Sequence, residues 1–219
     1  MSRVSSPTRP RRRALLFSLG GAVIAAAAVI AFVRTRPPVF PYPCVAPAQT
    51  LRLEVDPYLR IYILGHRVTI PTAIGIANPR MYGHVALSGT CVEPIHTHDS
   101  GGVIHVESPV RRTYTLGDFF RVWRSTYPTV TVDGQSRPVV YTPTDLLGYR
   151  TDATHVIRLL VDGKPSRAGP GLDLDHLDYC GGRVLASPCY PTAVTNPYPP
   201  SLYHRYGVGH RIVLEYVRR

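Results

Sequence analysis

The chain has 219 residues, 44% hydrophobic and 18% charged, which is too apolar for a disordered polyelectrolyte and long enough to bury the core of one medium domain. Its 18 Gly and 22 Pro point to many turns and few long helices. The formal charge of +11 resembles a nucleic-acid signal, but residues 1–36 hold seven arginines and no acid, leaving 18 Lys+Arg against 14 Asp+Glu and a net of +4 elsewhere. With the basicity concentrated at one end, no nucleic-acid partner is expected.

That end reads as a targeting segment. Residues 1–13 form a basic tail, and residues 14–33 contain no charge and are rich in Ala, Val, Leu and Ile. A helix of that length spans roughly 30 Å, the hydrocarbon thickness of a bilayer. Five arginines precede the segment and Arg34 and Arg36 follow it, which favours a cytoplasmic N-terminus and a single-pass anchor with the rest periplasmic or extracellular. The alternatives are a cleaved signal peptide, with Ala26 and Ala28 as the A-x-A site, and a twin-arginine signal at Arg12-Arg13. In each case residues 37–219 work outside the cytoplasm.

Four cysteines, Cys44, Cys91, Cys180 and Cys189, form an even set without C-x-x-C spacing, so two disulfides are expected rather than a thiolate metal site. Three connectivities are open. Closing the local loop with Cys180–Cys189 is the economical choice and leaves Cys44 with Cys91.

Residues 34–50 read as a Pro-rich linker, and residues 51–219 as a β-rich domain. Leu51 to Val55 alternates apolar with polar, as a half-buried strand does. Leu59–Leu64 and Arg67–Ile70 flank Gly65-His66 as a hairpin, and Ile95–His98 and Val103–Glu107 flank Asp99–Gly102 as another. Leu116, Phe119, Phe120 and Trp123 at i, i+3, i+4, i+7 predict a helix whose aromatic stripe packs on a core. Thr115 and Asp118 stand in capping-box positions before it. Val130–Val132, Val156–Val161 and Arg211–Val217 predict further strands, with turns at Asp133-Gly134 and Asp162-Gly163. The expected class is α+β, mostly β: a β-grasp-like mixed sheet around one short helix, preceded by a β-hairpin and one N-terminal transmembrane helix. Residues 162–206 form a long loop poor in strand signal.

The sharpest chemical pattern is His96-Thr97-His98…His105-Val106-Glu107. Alternation puts His96 and His98 on one face of their strand, and His105 and Glu107 likewise share a face of theirs, opposite Ile104 and Val106. A two-residue turn at Gly101-Gly102 pairs His98 with His105, and one at Ser100-Gly101 pairs His96 with His105. Either register brings all three imidazoles to the same side, where cross-strand spacing lets them converge on Zn²⁺ or Cu²⁺ with Glu107 or Glu93 nearby. The competing reading is a polar solvent face that happens to use histidine. His98-Asp99-Ser100 is not a catalytic triad, because sequence neighbours alternate faces and no G-x-S-x-G elbow exists. The other histidines each sit alone, and Asp173-x-Asp175-x-x-Asp178 lacks the features of a calcium loop.

Val68–Pro71 with Ile74–Ile76, then His96–Asp99, Gly101, Val103–Pro109, then Thr115–Gly117, Phe119, Phe120 and Trp123 resemble the motifs of a family of uncharacterised, membrane-anchored extracytoplasmic proteins of bacteria and archaea. The resemblance covers about residues 51–125 and brings no established activity. Members carry a His-x-His pair before the first hairpin, where this chain has Val55-Asp56-Pro57-Tyr58.

Three functions follow as expectations. The first is a non-catalytic interaction module, an accessory subunit docked on a membrane protein through Tyr190, Tyr198, Tyr203 and Tyr206 in the Pro-rich stretch 187–206. The second is a Zn- or Cu-binding protein using His96, His98, His105 and Glu107. The third is an enzyme using that metal as Lewis acid with Glu107 or Asp99 as base, although no second acid/base constellation is visible.

Overall fold

A computed structural model describes residues 40–47, 49–179 and 209–219, all within one compact unit. The segment 14–33 read as a membrane anchor, Cys180, Cys189 and the tyrosines of 187–206 lie outside the described residues. No helix among the described residues is long and apolar enough to cross a membrane.

The structure is mostly β with one α-helix among the described residues. Its largest element is a five-stranded sheet in the order Lys164–Ser166, His155–Val161, Arg211–Arg218, Tyr58–Ile63, His66–Val68. The two central strands, Tyr58–Ile63 and Arg211–Arg218, run parallel, and every other neighbour is antiparallel. Alternation makes one face of this pair apolar: Leu59, Ile61, Ile63, Ile212 and Leu214 have no solvent exposure. They share a core with Leu116, Phe119, Phe120 and Trp123 of the helix Leu116–Thr126.

The outer hairpins of the sheet turn at Leu64-Gly65 and Asp162-Gly163, and the small hairpin Thr129–Val132/Gln135–Pro138 turns at Asp133-Gly134. All six turn residues have positive φ. This is the primed turn whose twist matches antiparallel strands. It explains why the first turn falls one residue before the expected Gly65-His66, since glycine best serves as the second of the two positions.

The hairpin expected at 95–115 does not join that sheet. Ile95–His96 and His105–Ser108 pair with Leu53–Val55 in a separate three-stranded sheet, order Leu53–Val55, His105–Ser108, Ile95–His96. The large sheet takes Tyr58–Ile63 instead, paired parallel with Arg211–Arg218.

The helix begins as the sequence indicates. The Thr115 side chain accepts from Asp118 N–H at 3.2 Å, and the Asp118 carboxylate accepts from Thr115 N–H at 2.9 Å. Asp118 also accepts the Tyr42 hydroxyl proton at 2.7 Å and pairs with Arg121 at 2.6 Å. Burial opposes its charge, but these bonds hold its pKa below the ordinary carboxylate range.

Tyr42 is buried, Val45 N–H donates to Val92 O at 2.8 Å, and Cys44 is bonded to Cys91 across 47 residues. From Tyr42 to Val45, the stretch read as a linker is therefore fastened to the domain. The Cys44–Cys91 bond agrees with the expected pairing.

Gly102 has φ +101°, and a Cβ there would stand 2.4 Å from Leu59 O, the carbonyl of a central strand. Gly102→Ala is expected to destabilise the fold by about 1–3 kcal/mol, read as a lower urea midpoint at unchanged m-value.

Candidate metal centre

The strands Ile95–His96 and His105–Ser108 are in the register Ile95 opposite Val106 and His96 opposite His105. This is the second of the two registers the sequence allows, but the connection is not a two-residue turn. Past His96 the two arms part. On one side Thr97 N–H donates to Ile74 O and Ala86 N–H donates to His98 O. On the other, Leu59 N–H donates to Gly102 O and Ile104 N–H to Pro57 O. Ile95, Ile104 and Val106 fill the core beneath.

The three imidazoles meet. Ring centres lie 4.8 Å apart for His96–His98, 4.6 Å for His98–His105 and 5.5 Å for His96–His105. The idea of a solvent face is set aside for His96, which is 1% exposed.

Each ring is held by its Nδ1. His96 Nδ1 is 2.9 Å from Glu93 O, His98 Nδ1 bonds Ala86 O, and His105 Nδ1 is 2.8 Å from Asp56 Oδ1. Backbone carbonyls only accept, so Nδ1 of His96 and of His98 must carry the proton. In the neutral rings both Nε2 atoms then present bare lone pairs, yet they stand 3.2 Å apart. Burial lowers the pKa of both histidines, and the neighbouring imidazoles lower it further, so neither readily supplies a proton between them. His105 differs. Burial works against its charge, but the hydrogen bond and charge of Asp56 outweigh burial, helped by Glu107 and Asp99, and its pKa is raised.

A tetrahedral zinc with Zn–N bonds of about 2.0–2.1 Å separates ligand nitrogens by roughly 3.3–3.4 Å and ring centres by roughly 5 Å. The His96–His98 nitrogen pair and all three ring separations are close to those values. Even so, among the described residues no group of three or more His, Cys, Asp or Glu side chains is placed so that it could hold a metal ion. One pair has ligand spacing, and a third ring lies beside it.

Glu107 is on the same strand as His105, opposite Glu54 in the register, and acts on His105 through its charge. Glu93 is fully buried, and its Oε1 accepts from Tyr42 N–H at 2.7 Å. Asp99 is 6% exposed and folds back to accept from Gly101 N–H.

Of the solitary histidines, His155 and His210 pair with Asp152 and Asp162. The acids at 173–178 serve loop bonds: Asp173 accepts from Asp175 N–H, and Asp178 accepts from Asp56 N–H. A groove bounded by Leu64, Val217 and Arg218 lies at the far end of the strand from Tyr58, which bridges Val103.

The sequence reading missed Asp56 and the carbonyls of Ala86 and Glu93. Carbonyl partners leave no trace in residue type. Asp56 stands 49 positions from His105 and is brought to it only by the pairing of Leu53–Val55 with His105–Ser108.

Compared with known proteins, the chain matches no family, no curated sequence and no solved structure. The functional reading therefore rests on the chain's own geometry.

Proposed function

We propose that this protein is a membrane-tethered extracytoplasmic domain that binds one transition-metal ion, Zn²⁺ or Cu²⁺, through Nε2 of His96, His98 and His105. One observation carries the reading: the Nε2 atoms of His96 and His98 face each other at 3.2 Å while both Nδ1 atoms stand against carbonyl oxygens, which in the neutral tautomers leaves two lone pairs opposed. Opposed lone pairs are unfavourable unless an electrophile sits between them, and a cation satisfies both. His105, whose ring centre lies 4.6 Å from that of His98, is the third donor in this reading. Outer partners on the distal nitrogen are how metal-binding histidines are held in tautomer and orientation.

The Cys44–Cys91 bond supports an oxidising compartment, and the apolar stretch 14–33 supports a bilayer anchor. The scaffold we read as β-grasp-like, on the strength of its parallel central pair with antiparallel flanks. The interaction-module reading rests on 187–206, and nothing among the described residues favours it.

The test is elemental analysis of the full-length chain, purified without a histidine tag in mild detergent. About one equivalent of Zn or Cu is expected, absent from His96→Ala and His98→Ala. Less than about a tenth of an equivalent after incubation with either metal overturns the reading.

A further inference from the structure

We infer that the hairpin of Arg80–Tyr82 and Val85–Ser88 is a membrane-contacting finger that seats Met81, Tyr82 and Leu87 at the headgroup–acyl boundary of a bilayer. The inference rests on the tethering part of the reading above, through the apolar stretch 14–33, and is independent of any metal.

Exposure singles out this hairpin. Five large hydrophobic residues among the described residues are exposed, and three of them, Met81, Tyr82 and Leu87, fall within seven positions here. Tyr82 is 77% exposed, the highest of the five. The two strands form a sheet of their own, with no further strand beside them. Residues 78–84 are all exposed, while Ala86 is buried and its N–H donates to His98 O, rooting the returning strand in the domain. Met81 and Tyr82 alternate faces along the strand, yet folding covers neither. A concentrated apolar patch left in water marks contact with another apolar phase.

The attachment of the chain selects that phase. Cys44 is bonded to Cys91, and Cys91 is the register partner of Ala77 at the base of the hairpin. Tyr42, buried two residues before Cys44, comes nine positions after Val33, the last residue of the apolar stretch. Nine residues reach roughly 30 Å at full extension, so the base of the hairpin is held close to the bilayer. The five residues from Ala77 to Tyr82 carry the tip about 17 Å from that base, a comparable distance.

Charge agrees. Between Ala77 and Val92 there is no Asp or Glu, and Arg80 supplies the only fixed charge. Beside Tyr42, the Arg112 guanidinium lies 4.9 Å from the ring centre, and Val110, also exposed, stands two residues before it. Tyrosine at headgroup depth, aliphatic side chains below it and arginine toward the phosphates make an interfacial anchor. An acid-free basic tip also suits an anionic lipid surface.

The test uses the full-length chain reconstituted into vesicles of phosphatidylcholine and phosphatidylglycerol with brominated acyl chains, which quench indole on contact. Tyr82→Trp puts an indole at the tip, and Trp123, with no solvent exposure, is the unquenched reference. Leu64→Trp, at the turn of the hairpin Tyr58–Ile63/His66–Val68 and 49% exposed in the wild type, is the control. The protein is expected to float with the vesicles. Emission added at position 82 should fall roughly twofold against unbrominated vesicles, while that at 64 is unchanged. Protein that floats with position 82 unquenched overturns this inference and leaves tethering intact. Equal quenching at 82 and 64 does the same. Emission at 82 that shifts with protein concentration rather than with lipid gives the hairpin to a second copy of the chain and also overturns it. Protein that does not float overturns the tethering reading and this inference together.

Discussion

Asp56→Ala is expected to weaken Zn²⁺ binding about 10- to 100-fold, the usual effect of removing an outer partner from a ligating histidine. The Asp56 carboxylate accepts the His105 Nδ1 proton at 2.8 Å. That bond fixes the tautomer whose Nε2 lone pair faces the other two rings. It also holds the one imidazole that, unlike His96 and His98, has no backbone carbonyl on its Nδ1. Asp56→Asn keeps an acceptor oxygen and loses the charge, so it is expected to fall between wild type and alanine. His96→Ala removes a ligand and should exceed both. Competition against a chromophoric chelator measures all three. The backbone at 56 stays bonded in every variant, because Asp56 N–H donates to Asp178 and Asp56 O accepts from Tyr179 N–H. A loss of affinity will therefore not reflect a collapsed loop. Alanine and asparagine variants both within twofold of wild type would show that His105 is not a ligand.

The same residues show how far sequence reaches. Local patterns were legible: the Leu116–Trp123 stripe and Thr115–Asp118 box gave the helix, and alternation gave Tyr58–Ile63 and Arg211–Arg218 nearly to the residue. The pairing of His96 with His105 was legible as one of the two registers that a two-residue turn allows, although the connection across 97–104 is longer than such a turn. Which hairpin enters the main sheet was not. Ile95–His96 and Tyr58–Ile63 both offer apolar faces, and the choice depends on what 211–218 pairs with across some 150 residues. The short strands between Ile76 and Val92 escaped because two to four residues cannot establish a period. They nonetheless carry the Ala86 carbonyl that anchors His98. The histidine cluster was thus readable in its members and hidden in its supports.

Glu93→Gln is expected to remove most of a loss of stability that the wild-type protein suffers as pH rises from 4.5 to about 7. Glu93 has no solvent exposure, and its Oε2 has no hydrogen-bond partner, while Oε1 accepts only the Tyr42 N–H. Burial pushes its pKa from 4.5 up to about 7, against a smaller opposing effect of the Tyr42 bond. The folded state therefore holds this proton more tightly than the unfolded chain does. Below the unfolded pKa both states are protonated and the group is neutral in its effect. Between 4.5 and about 7 the unfolded chain gives up the proton first, so stability falls, and above that range the loss is complete. At about 1.4 kcal/mol for each pKa unit the full loss is about 3.5 kcal/mol. Glutamine keeps an acceptor for Tyr42 and cannot ionise. In metal-free protein, wild type and variant should melt at similar temperatures at pH 5, and the variant should melt several degrees higher at pH 8, where roughly 2–4 °C accompanies each kcal/mol in a domain of this size. Equal differences at the two pH values would mean that the Glu93 carboxylate ionises without cost, and that water or a further donor reaches its second oxygen.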